Sequence, residues 1–161
     1  MKYNSVWIVR HIRDGKVIWE DEKPNSLVQE GEESILETYF LNGATYIPTE
    51  FYVRLCNDDL LITSTLSTVS DEPVGNGYDP QLLERSGQGF PTKELSGGIF
   101  RIVSKVISFT ADGGSIGPVR TAYLSTTSDN TGKLIAFRGL TLPRTVLSGD
   151  TMTLQFRIEL S

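Results

Sequence analysis

The chain has 161 residues, of which 39% are hydrophobic and 22% charged, a balance that suits one folded domain and leaves no room for a second. A net charge of -5 and a pI near 4.9, with no basic run, exclude a partner held by its phosphate backbone. One cysteine, Cys56, and one histidine, His11, exclude an internal disulfide and argue against a multi-ligand zinc site.

The opening residues lack the apolar stretch of a secretory leader and no apolar run approaches roughly 18 residues, so no membrane contact is expected and synthesis in a cytosol is. The opening segment Val6–Arg13 is rich in β-branched and aromatic residues, and Asp14-Gly15 followed by Lys16-Val17-Ile18-Trp19 closes it as a tight hairpin. Strict alternation places Val6, Ile8, Ile12, Val17 and Trp19 on one face and Trp7, Val9 and Ile18 on the other. Both faces are then apolar, and the second is expected to be covered by another chain. Trp19 is assigned to the core and Trp7 to the contact.

Ser26-Leu27-Val28-Gln29 has the form of a capping box, and Asn42-Gly43 supplies a stop, which predicts a helix over about residues 27–41. Val28, Ile35, Leu36, Tyr39 and Phe40 recur at helical spacing opposite Glu30, Glu33 and Glu37, and Gly31 costs about 1 kcal/mol against alanine or marks close packing. Beyond Phe51 only β-type runs follow, separated by turn clusters. Phe51–Cys56 reads as a strand, and Ile99–Thr110 as one long strand with Ile99, Val103, Ile107 and Phe109 on one face and Phe100, Ile102 and Val106 on the other. Val119–Ser125 pairs with Leu134–Phe137. In the last strand Met152, Leu154, Phe156, Ile158 and Leu160 alternate against Thr151, Thr153, Gln155, Arg157 and Glu159. Between Leu60 and Leu95 the apolar residues lack a period; Thr63–Ser70 is loop or short strand, and a strand is expected near Tyr78–Leu83. The fold expected is an antiparallel β-sandwich, jelly-roll-like, in one domain, with a hairpin-and-helix portion over 1–43 and a glycine-rich β region over 44–161.

No arrangement of acid, base and nucleophile emerges, so the expectation is a protein that is not an enzyme, with no catalytic residue, cofactor or metal. Asp58-Asp59 and Asp112 are turn carboxylates, and Asp129-Asn130-Thr131-Gly132 lacks the distal glutamate of a calcium loop. Gly97-Gly98 and Gly113-Gly114 sit at strand ends without the helix that a phosphate loop needs. His11 lies within a hairpin strand and Cys56 ends a core strand.

The order of segments resembles small structural proteins of tailed-bacteriophage virions. The matching stretches are Asn25–Leu36, Phe51–Leu55, Gly75-Asn76-Gly77-Tyr78, Gly117-Pro118-Val119, Ser128–Ala136 and Pro143–Asp150. The resemblance spans about Val6 to Leu160 and departs at Tyr78-Asp79-Pro80, where a longer strand is usual. It implies a virion component without catalytic residues. A head-decoration (cement) protein ranks first, bound to the major capsid protein or other virion proteins as a homo-oligomer with a trimer favoured; a tail, neck, collar or fibre-attachment protein is the alternative. Trp7, Val9 and Ile18 are the expected contact residues, with Tyr46, Ile47 and Phe51 beside them. A carbohydrate-binding sandwich stacking sugars on Trp7 or Trp19 is the third reading.

Overall fold

A computed structural model describes residues 3–41 and 47–160. Two antiparallel sheets face one another as a sandwich with one helix. Sheet A has the order β2 (Lys16–Pro24), β1 (Tyr3–Arg13), β11 (Thr151–Leu160), β7 (Ile99–Val103) and β6 (Thr92–Ser96), with β8 (Ile107–Thr110) also pairing to β11. Sheet B has the order β3 (Ser26–Leu27), β10 (Leu134–Val146), β9 (Ile116–Ser125), β4 (Glu50–Cys56) and β5 (Gln81–Glu84).

The first hairpin forms where the sequence places it, because Asp14 and Gly15 both take positive φ, 49° and 71°, as its tight turn requires. Its faces differ from those that strict alternation gives. A bulge lets Ile12 pair with Val17 and His11 with Trp19, so Ile18 is the extra residue and Trp19 turns to the side of Trp7, Val9 and His11. Trp7 and Val9 are fully buried in the chain's own core, Trp7 with its ring 4.3 Å from that of Phe156, the residue it opposes on β11. With its amide turned toward the Ser5 carbonyl, Asn25 accepts a hydrogen bond from Trp7 Nε1 at 3.2 Å. The expected contact role of Trp7 and Val9 is therefore corrected: they are internal.

Charged side chains cross the outer face of this ribbon. A charged ladder runs from Glu94 to Arg101 (3.1 Å), Arg101 to Glu159 (2.6 Å), Glu159 to Arg157 (3.3 Å) and Arg157 to Glu22 (3.6 Å), across the strands that flank Val6. Val6 and Ile8, on the same face, are half-buried.

The long strand expected over 99–110 is two. Ser104, Lys105 and Val106 bulge out between β7 and β8, and Ser104 takes up the interrupted ladder: its backbone N–H donates to the Phe156 carbonyl and its Oγ accepts from the Phe156 N–H, at 2.8 and 2.9 Å. The bulge inverts parity, so Ile107 and Phe109 enter the core opposite Leu154 and Met152, whereas Val103 lies opposite Arg157 on the outer face. The inward set Met152, Leu154 and Phe156 on β11 agrees with the alternation.

A second, smaller core lies behind sheet B. Val28, Cys56, Leu66, Val69, Tyr123 and Leu134 gather under the segment after β4, in which Leu66–Thr68 forms a 3-10 turn. The strand expected near Tyr78–Leu83 begins at Gln81. Tyr78 is instead a core residue stacked on Phe109, with its hydroxyl accepting from the Leu55 N–H at 3.0 Å and donating to Glu72.

Candidate interaction surface

Helix α1 spans Gln29–Phe40. The expected capping box does not form: Ser26 and Leu27 are drawn into β3 beside Phe137 and Ala136, the N-cap is Val28, and no side chain caps it. The Ile62 carbonyl accepts the Gln29 N–H at 2.9 Å, satisfying one of the free donors at the helix start. The expected stop at Asn42-Gly43 falls outside the described residues.

Gly31 and Ser34 are the helix's buried residues, and Thr38, one turn further on, is half-buried. This small-residue stripe lets the helix backbone settle against β10, where a side chain at Gly31 would overlap the Ile135 carbonyl. Glu30 locks the same junction, its Oε2 accepting the Leu66 and Leu134 N–H groups at 2.9 and 2.6 Å. Glu30 thus faces inward and the large apolar residues face out: Leu36, Tyr39, Phe40 and Leu41 are 56%, 76%, 74% and 62% exposed. Ile35 and Ile47 are exposed as well. Such a cluster exceeds the scattered apolar residues normal on a monomer surface and is the mark of a contact site.

Of the residues expected to make contact, Ile18 and Ile47 are exposed, Phe51 is half-buried against the core, and Tyr46 lies outside the described residues. The helix residues were missed because apolar spacing on a helix was read as the buried face. The readable signal was the opposite stripe, Gly31-x-x-Ser34, whose small residues permit closer approach than large ones.

Three buried charge clusters tie the chain together. Asp150 accepts Arg13 Nε and Nη2, at 3.0 and 2.7 Å, and lies 2.8 Å from His11 Nε2. Arg144 Nη2 sits 3.1 Å from His11 Nδ1 and its guanidinium covers the Trp19 ring at 5.0 Å. A guanidinium only donates, so Nδ1 accepts and Nε2 carries the proton given to Asp150. Both ring nitrogens are committed, and neither is free to take a proton from a nucleophile. The Arg13 guanidinium holds the Asp150 carboxyl well below the usual carboxylate range against the opposing effect of burial, and His11 adds to this.

The second cluster joins the sheets: Arg138 of β10, fully buried, lies 2.7 Å from Asp21 of β2. Asp21 also accepts the Thr141 N–H at 3.0 Å and the Thr141 hydroxyl at 2.7 Å. Burial pushes the Asp21 carboxyl up, but Arg138 and Thr141 outweigh it and leave it below its ordinary value. In the third, Arg54 grips Glu72 through both of their terminal pairs, donates to the Asp129 carbonyl at 2.7 Å and to Asn130 Oδ1 at 3.0 Å, and lies over the Tyr123 ring. Burial raises the Tyr123 and Tyr78 hydroxyls and the Cys56 thiol above their ordinary values, which keeps all three protonated. Cys56 is a buried, unreactive thiol.

With Trp7 buried and Trp19 half-buried beneath Arg144, neither indole offers a face on which a sugar ring can stack. Among the described residues, no helix is long and apolar enough to cross a membrane. No family model matches the chain, and no curated protein is similar to it.

Proposed function

We propose that this chain is a non-enzymatic structural component of a tailed-bacteriophage virion, a head-decoration protein that assembles with its own copies and with the major capsid protein. One observation carries the reading: helix α1 turns its small residues to the sheet and its large apolar residues outward, which a protein working alone in water has no reason to do. The sandwich behind it is suited to a passive scaffold, since the Asp150, Asp21 and Arg54 clusters hold its strands and loops together. Burying Leu36, Tyr39 and Phe40 against an assembled neighbour favours the assembled state by mass action, and that is the physical content of a cement role. The order of segments in the sequence supports the virion setting, and a tail or neck position is the alternative within it.

Quantitative mass spectrometry of purified particles tests the proposal. Many copies per particle place the protein on the head and few place it at the tail or neck. Absence from particles overturns the virion reading. Incorporation unaffected by Leu36→Asp with Phe40→Asp overturns the helix as the contact.

A further inference from the structure

Resting on the reading of helix α1 as the contact surface, we infer that its outward face takes a basic, apolar stretch of a different protein, with Lys or Arg side chains flanking large hydrophobic ones. Leu36 is the centre of that face. Its neighbours three and four residues away on the helix surface are Glu32 and Glu33 toward the N-terminus and Tyr39 and Phe40 toward the C-terminus. Acid and hydrocarbon therefore form one patch by helical spacing alone. Leu36, Tyr39 and Phe40 are exposed, as are Glu32 and Glu33, and the half-buried Glu37 follows Glu33 one turn further along the same flank.

The charge of this patch is unmatched. Glu30, which faces inward, accepts two backbone N–H groups and lies 3.6 Å from Lys133. Glu32, Glu33 and Glu37 enter no ion pair and no side-chain hydrogen bond among the described residues, and Gln29–Phe40 contains neither Lys nor Arg. The helix dipole favours Glu32, in the first turn. It does little for Glu33 and Glu37, like charges four residues apart, which weaken the helix that carries them. On the sheets, by contrast, Glu20, Glu22, Glu84 and Glu94 each face a cation: Arg10, Arg157, Lys105 and Arg101. An apolar patch with an uncompensated acidic margin is completed by a surface of opposite charge, because a neutral or acidic neighbour would take water from those carboxylates and return nothing.

Two other occupants fail on the same charges. The helix of a second copy brings three more carboxylates and no base, whichever way it runs. An anionic lipid surface meets the same repulsion.

Fluorescence anisotropy of labelled helical peptides with the full chain tests this, using one amphipathic peptide of Leu and Lys, one of Leu and Glu, and a polar one of Ser and Lys. The Leu/Lys peptide is expected to bind with an affinity that falls as salt rises, and the other two to bind about tenfold or more weakly. Glu33→Gln with Glu37→Gln weakens Leu/Lys binding about tenfold, and Glu33→Lys with Glu37→Lys turns the preference to the Leu/Glu peptide. Asp14→Asn with Asp79→Asn, the same change of net charge at exposed sites off the helix, leaves binding as it was. Leu36→Ser with Phe40→Ser loses it while circular dichroism shows the chain folded. Absence of Leu/Lys binding overturns the inference, as does equal weakening by the two neutralised pairs, which would reduce it to the attraction of an acidic chain for any cation. Self-association in sedimentation velocity that Leu36→Ser with Phe40→Ser abolishes would make a second copy the occupant. Cosedimentation with phosphatidylglycerol vesicles, lost in the same variant, would make it a membrane, and either result overturns the basic partner. Particles that carry the wild-type chain although it ignores the Leu/Lys peptide would leave the virion role standing and overturn this inference alone.

Discussion

Gly31 of helix α1 rests directly on the Ile135 carbonyl of β10, so close that a β-carbon on the glycine would occupy the oxygen's place. Alanine is the better helix former by about 1 kcal/mol, yet the obstacle here is backbone and cannot swing aside. Gly31→Ala is therefore expected to destabilise the fold by about 1–3 kcal/mol, read as a lower urea midpoint. Ser34→Ala, on the same stripe, stays near wild type.

Acid sensitivity follows from Asp150 and Asp21. Both carboxyls titrate lower in the folded chain than the unfolded value of about 3.9. A depressed carboxylate contributes stability above its unfolded pKa and loses that contribution as the pH falls toward its folded one. Thermal unfolding followed downward from about pH 5 should show a declining midpoint for wild type. Asp150→Asn should begin lower at neutral pH and decline less steeply.

Arg54 carries the link between β4 and two loops, through Glu72 on one side and Asp129 and Asn130 on the other. Arg54→Ala strands a partly buried Glu72 and frees both loops, with an expected cost of about 3 kcal/mol. Hydrogen exchange should rise first at Asn57, whose N–H donates to the Asp71 carbonyl beside that junction.

Two apolar residues should behave in opposite ways. Trp7→Ala removes a buried indole packed on Phe156 and costs about 3–5 kcal/mol. Phe40→Ser removes an exposed ring and changes stability by about 0.5 kcal/mol or less. Denaturant curves for the two variants, measured beside their binding of the Leu/Lys peptide, separate the core from the contact surface.

These pairs mark where the chain was legible. The Asp14-Gly15 turn, the inward set of β11 and the existence of helix α1 all follow from local chemistry and period. What escaped was each feature that depends on a single residue out of step. The bulge at Ile18 moves Trp19 across the ribbon, and the bulge at Ser104 does the same for Ile107 and Phe109. Alternation has no way to register an extra residue. The helix escaped for a different reason: its orientation is set by how closely Gly31 allows two backbones to approach, which a count of apolar side chains does not measure. The clusters around Asp150, Asp21 and Arg54 unite residues far apart in the chain, and nothing in local spacing announces them.

Strand β11 lies between β1 on one side and β7 and β8 on the other, so a segment far along the chain from β1 is the one that joins the two halves of sheet A. Until Thr151–Leu160 has left the ribosome, Trp7 and Val9 have no Phe156 or Leu154 to lie beside. Sheet A must therefore close through contacts of very high sequence separation, a slow route on which the uncovered β1–β2 ribbon is the segment a chaperone has most cause to hold.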